Sequence, residues 1–280
     1  MPFPRLRQYR IDRKICKKFC FTVYEAVDRT TKEQKNIRIL DSELAKDGVA
    51  VYNFLNSARL TKLLKHEQIN KVENYGKENG YYFAACEPIT TKALFLLMQE
   101  EFPFPLSKVV KIITDLATVL RYAHLHGVVH GFLNPSSIFI DDDGALKVDD
   151  FCYGWVAAHF SKTGIEEAGH LTYYMSPEIY FGLKQFDGRA DIYSLGVILL
   201  QFIIDVISFN GYVDESIKHN YLVNSVPAAS HLYPQSAEVL EKILLKMLSK
   251  NPQDRYQNMN DLINELKSIK EELPNTSIRP

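Results

Sequence analysis

The sequence predicts an α+β protein of two unequal lobes, a small one built on antiparallel strands and a larger, mostly helical one. Three observations predict it. Short runs of β-branched and aromatic residues, separated by turn residues, fill the first third of the chain. After Glu87-Pro88 the apolar residues change to helical spacing. No internal repeat or low-complexity block interrupts either part, and 280 residues suit one large domain or two lobes sharing a cleft.

The strands come first. Tyr9-Arg10-Ile11 leads into Phe19 to Val27, the polar turn Asp28 to Lys32, and Asn36 to Leu40, a hairpin pattern. Residues 49–65 place Val51, Phe54, Leu55, Ala58, Leu60, Leu63 and Leu64 at roughly helical spacing. Ile69–Tyr75 and Tyr81–Cys86 read as two more strands, with Gly76 to Gly80 as their turn. Helices are expected over Thr90–Gln99 and Leu106–His126, the second capped by Ser107. Two short strands, Ile138–Ile140 and Ala145–Val148, flank an Asp141-Asp142-Asp143-Gly144 turn. Residues 153–175 read as a long loop. Helices resume at Ala190–Asp205, Gln235–Leu248 and Met259–Leu273, before a tail, Pro274–Pro280.

Composition narrows the function. Apolar residues make up 46 % and charged residues 24 %, a balance that can bury a core. A net charge of −1 provides no basic field for nucleic acid or an anionic membrane. The apolar run Ile192 to Phe209 is interrupted by Ser194, Gln201, Asp205 and Ser208, which reads as a buried helix and not a membrane span. The first residues carry no signal-peptide pattern, so a cytoplasmic location is expected, alone or as part of a longer protein. Cys16, Cys20, Cys86 and Cys152 are too scattered for a disulfide framework, and Cys16 and Cys20 have no metal-site companions.

The chemistry-bearing stretches are His130-Gly131-Phe132-Leu133-Asn134-Pro135-Ser136-Ser137 and Lys147-Val148-Asp149-Asp150-Phe151-Cys152. Around them stand, in order, Leu64-Lys65-His66, Met175-Ser176-Pro177-Glu178, Asp191-Ile192-Tyr193-Ser194-Leu195-Gly196 and Asn251 to Tyr256. This ordered series resembles protein kinases, the serine/threonine family of bacteria and eukaryotes, over about residues 9–272. The resemblance implies a bilobal kinase-like fold, with an N-lobe over residues 1–87 and a C-lobe over 88–273. It also implies a buried Glu178–Arg255 ion pair and an Asp191 that accepts hydrogen bonds from the backbone near His130.

The same resemblance exposes losses at the positions that move a phosphoryl group, where positioning and charge stabilisation supply the catalysis. Cys16, Lys18 and Phe21 stand where the phosphate-covering loop has glycines; Lys17 and Lys18 read as a solvated pair at a hairpin tip, with point-charge contacts to phosphate as the alternative. Arg38 stands for the phosphate-binding lysine, while Lys35, three residues earlier on a strand, faces the other way. Ser57 stands for the helix glutamate that pairs with that lysine, and residues 48–66 contain no acid in any register. Phe132 takes the place of the catalytic base, Asn134 of a lysine, Gly131 of a phosphate-reading arginine and Cys152 of a turn glycine. A phenyl ring accepts no proton.

These losses imply a pseudokinase, a regulatory or scaffolding module that binds a protein partner. That partner would be an active kinase or domains of a longer chain, with no nucleic acid and no direct membrane insertion. No catalytic residue and no required cofactor are expected. If ATP and Mg²⁺ bind weakly, Arg38, Glu87, Ile89 and Asp150 are the nucleotide contacts, and Asp150 and Ser137 the metal ligands. Two alternatives stand beside this: an ATP-holding sensor without transfer, and an active or atypical serine/threonine kinase. Thr163, Thr172, Tyr173 and Tyr174 are candidate sites for phosphorylation by another kinase.

Overall fold

A computed structural model describes residues 3–160, 172–183, 185–203 and 237–272. Five antiparallel strands form the first sheet: β1 (Tyr9–Lys17), β2 (Phe21–Asp28), β3 (Gln34–Leu40), β4 (Val72–Glu78) and β5 (Tyr81–Cys86). Their order is β1-β2-β3-β5-β4. Pairing sets Val23 opposite Arg38, and Arg38 opposite Ala84. Side chains alternate along β3, so Arg38 and Lys35 leave opposite faces. Lys35 pairs with Glu33 and Glu73 at 2.8 and 2.7 Å, away from the cleft.

The single main helix of this lobe, α1 (Gly48–Leu63), starts where the Asp47 carboxylate accepts from the backbone N–H groups of Val49 and Ala50. Its buried residues Ala50, Phe54, Ser57, Ala58 and Thr61 recur at helical spacing and face the sheet and cleft.

The second lobe begins with β6 (Lys92–Ala93) and α2 (Leu94–Glu101), so the expected helix at 90–99 starts only at Leu94, and Lys92 and Ala93 pair with a strand instead. Next comes α3 (Leu106–Leu125), which starts after Pro105 with no side-chain cap; Ser107 lies inside its first turn. Strands β7 (Ile138–Ile140) and β8 (Leu146–Val148) complete a three-stranded sheet with β6. Helices α4 (Gly154–Phe160), α5 (Pro177–Tyr180), α6 (Arg189–Ile203), α7 (Ala237–Met247) and α8 (Met259–Glu272) follow. The core of this lobe joins α3, α6, α7 and α8 through residues such as Leu116, Leu120, Ile198, Leu244 and Leu262. Among the described residues, no helix is long and apolar enough to cross a membrane.

Three expectations change. β4 runs through Gly76, and the turn narrows to Asn79-Gly80, both at positive φ. Helix α4 occupies part of the stretch read as loop. Its periodicity is too short to announce it, and tertiary docking supplies its stability. Asn53 donates to the Trp155 carbonyl at 3.2 Å, and a His159 ring nitrogen lies 2.9 Å from Asp47. Finally, Thr172 and Tyr174 are buried, the Tyr174 hydroxyl donating to Gln201 at 2.6 Å, so neither is presented to another kinase. Thr163 lies outside the described residues.

Candidate functional site

The loop between β8 and α4 meets the loop after α3 beneath the first sheet. Asp191, at the start of α6, accepts from the backbone N–H groups of His130 and Gly131 at 2.9 and 2.7 Å, and a His124 ring nitrogen lies 2.7 Å away. Burial raises the Asp191 carboxyl, but these donors outweigh it and hold the group below its usual range. The His130 ring joins both loops. Its Nδ1 accepts from the Phe132 N–H, and its Nε2 donates to the Asp149 carbonyl at 2.8 Å. That pattern selects the neutral ring, in keeping with burial, which lowers its pKa. Across the lobe, Arg255 donates to both oxygens of Glu178 at 2.7 and 2.9 Å, a buried bidentate pair.

The positions to which the kinase resemblance assigns chemistry are occupied as follows. Phe132 is buried and packs against Phe19 with ring centroids 5.7 Å apart. Asn134 accepts from the Ser136 N–H and donates to the Phe132 carbonyl, which caps the turn that follows. The Ser137 hydroxyl is buried between the carbonyl and the N–H of Asn134, at 2.8 and 3.2 Å. Both of its hydrogen-bonding functions are used locally.

Lys17 remains solvated beside Asp41, but Lys18 does not share its setting, which corrects the expectation of a solvated pair. The turn at 18–20 folds inward, and the Lys18 ammonium forms an ion pair with Asp150. Burial lowers the Lys18 pKa, yet Asp150 and Asp149 outweigh it and hold the ammonium above its usual value. Cys20 and Phe21 are buried and Phe19 packs partly buried against the same cluster, and that packing holds the turn in.

Arg38 is 3 % exposed, and its guanidinium is spent on Asp149 and, at 3.3 Å, on Asp150. It also lies over the rings of Phe21 and Tyr153, at 5.5 and 5.7 Å. Burial raises the Asp149 carboxyl, but Arg38 and Lys18 hold it below its ordinary value. Asn70 adds a hydrogen bond to Asp149 at 3.1 Å. At the position the resemblance gives to a paired glutamate, the Ser57 hydroxyl on α1 lies between the Asn53 carbonyl one turn back, at 2.7 Å, and the Cys152 carbonyl, at 2.9 Å, and shares its one proton between them. Asp150 and Cys152 both hold left-handed backbone, with φ of 61° and 68°.

Above these groups lies a cavity of about 650 Å³. Of the residues expected to contact a nucleotide, Ile89 and Asp150 line it, whereas Arg38 and Glu87 do not. The Glu87 N–H bonds the Lys71 carbonyl at 3.0 Å, and its side chain lies 3.5 Å from Lys147. Asp149, Tyr153 and Phe19 were not singled out in the sequence. The Asp149-Asp150 doublet was the available signal, since one carboxylate of the two can serve Arg38 while the other serves Lys18.

Comparison with known proteins agrees with this architecture. The family described as the protein kinase domain matches residues 10–266. A probable serine/threonine-protein kinase of Clostridium acetobutylicum is 26 % identical over 263 residues, which cover 94 % of this chain and 40 % of that protein. Serine/threonine-protein kinase PknL of Mycobacterium tuberculosis is 28 % identical over 268 residues, 95 % of this chain and 66 % of that one. The crystal structure of the Mycobacterium tuberculosis PknI kinase domain shares the fold. Its TM-score is 0.73 at 23 % identity, covering 95 % of this chain and 97 % of that domain. The chain spans only 38–41 % of the length of three of its curated relatives. With a family match over nearly its whole length, the chain belongs to the protein kinase domain family.

Proposed function

We propose that this domain is a catalytically inactive pseudokinase that works in the cytoplasm as a regulatory or scaffolding module. Its partner is a protein, either an active kinase or other domains of a longer chain. The observation that carries this reading is the closed ion-pair set Lys18–Asp150 and Arg38–Asp149 beside a buried Phe132. Phosphoryl transfer needs a base at the attacking hydroxyl and free charges at the phosphates. Here a phenyl ring stands at the first place, and the charges at the second are used on one another.

The donor set suits Mg²⁺ poorly. A hard cation with near-octahedral demands needs carboxylate and water oxygens. Asp150 gives Oδ2 to Lys18, while its buried Oδ1 accepts no hydrogen bond but faces the Arg38 cation at 3.3 Å, and the Ser137 hydroxyl is used by Asn134. The Glu178–Arg255 pair and the Asp191 hydrogen bonds keep the fold rigid without serving chemistry.

The experiment is a transfer assay with γ-labelled ATP, Mg²⁺ or Mn²⁺, and a generic protein substrate. The expected result is no incorporation above a boiled control. Label transfer that survives repurification and is lost in Asp150→Asn would overturn the proposal.

A further inference from the structure

The cavity above Asp150 is not simply a nucleotide site with missing parts. Every charged side chain that lines it is already paired. Lys17 lies 3.4 Å from Asp41, Lys92 lies 2.7 Å from Glu100, Lys18 is joined to Asp150, and Asp149 to Arg38. The rest of the lining is apolar or uncharged, including Ile15, Val23, Ile89 and Phe139, with Asn36 and Thr90 as neutral polar groups. A volume of about 650 Å³ lies in the range of small-molecule sites.

We propose that this cleft takes an uncharged, flat ring ligand of nucleoside size and rejects polyphosphates, with Lys18 as the discriminating residue. The Lys18 ammonium sits on the carboxylate that a divalent cation would need, so it acts as a built-in monovalent counter-ion. Its side chain is 20 % exposed and that of Asp150 is 7 % exposed. Entry of a metal–triphosphate must break this buried pair and re-form each half on a new partner, with Arg38 still held by Asp149, and that exchange opposes it. The pairs at the rim, Lys17–Asp41 and Lys92–Glu100, are largely solvated and can be rearranged at little cost. They sit at the edge, too far out to compensate for the deep end. An uncharged ring asks for none of these changes. It gains by covering the apolar lining, and Asn36 and Thr90 can orient it.

This inference rests on the non-catalytic reading, and its test is independent of transfer. Binding of adenosine, ATP alone and ATP with Mg²⁺ is compared by calorimetry on the intact chain, with thermal shift as a second readout. Wild type is expected to bind adenosine at least about tenfold more tightly than ATP with Mg²⁺, a difference of about 1.4 kcal/mol. In Lys18→Gln, which leaves Asp150 with Arg38 as its remaining cation at 3.3 Å, the preference is expected to narrow or reverse, and binding of ATP is expected to become Mg²⁺-dependent. The proposal fails if wild type binds ATP with Mg²⁺ as tightly as adenosine, or if adenosine does not bind. An unchanged preference in Lys18→Gln removes Lys18 from the role. The wild-type comparison alone decides the ligand class should that variant fail to fold. Label transfer in the assay above would sink the non-catalytic reading, whereas the wrong ligand order here sinks only this one.

Discussion

Gly131 and Gly154 meet backbone to backbone. A methyl group on Gly154 would lie 2.6 Å from the Gly131 Cα and carbonyl oxygen, and one on Gly131 would lie 2.9 Å from the Gly154 Cα. Gly131 also holds φ at +71°, where a side chain is strained. Glycine at position 131, where the kinase resemblance implies an arginine, has a packing consequence. It lets the first turn of α4 seat directly on the loop that carries Phe132.

Restoring the family residue should undo that seat. Gly131→Arg is expected to destabilise the domain by about 2 kcal/mol or more, from left-handed strain and overpacking together. Urea unfolding measures it. A variant as stable as wild type would show that α4 can move aside at no cost.

Ser57 holds α1 to the turn through the Cys152 carbonyl. Ser57→Ala should cost about 1 kcal/mol, the net worth of one buried hydrogen bond. Ser57→Glu, which reinstates the family residue, should cost more, because Arg38 is already committed to Asp149 and the new carboxylate would be buried without a partner. Comparing the two midpoints in denaturant tests this; a Ser57→Glu more stable than Ser57→Ala would mean that Arg38 can be recruited.

Phe132→Asp puts a carboxylate at the base position but not a base at work. The ring leaves a contact with Phe19, and the new acid enters a buried place. The expected outcome is no phosphate transfer and a loss of about 2–5 kcal/mol in stability, the range for a large-to-small change at a buried aromatic. Measurable transfer would show that the losses at Ser57 and Ser137 are tolerated.

Stability should fall in acid in two stages. Burial lowers the His130 pKa below its ordinary value of 6.5, so the unfolded chain takes up the proton first. Stability conferred by the neutral ring is complete above about pH 6.5 and declines as pH falls through the folded pKa. Asp149 and Asp191 are held below 3.8, so their contribution is full above about pH 4 and is lost as pH falls further. Thermal melts from pH 8 to 3 measure both stages, and His130→Gln should flatten the first. A wild-type melting temperature unchanged between pH 7 and 5 contradicts the assignment to His130.

The sequence by itself determined the architecture and which residue stands at the expected base position. Strand-like runs before Glu87, helical spacing after it and the ordered motifs suffice for a two-lobed fold, because periodicity records which face of each element is buried. The identity of residue 132 needs no coordinates. Nor does the lack of any acid between residues 48 and 66. What only the tertiary structure decided is where the remaining charges went. Lys18 read as a solvated tip residue, because sequence spacing locates a lysine along a hairpin but does not say whether the turn folds in or out. Arg38 read as a nucleotide contact, because nothing local announces that Asp149, 111 residues away, will claim it. Ion pairs between distant segments form only once packing has excluded water from both partners. In this protein that step closes the deep end of the cleft.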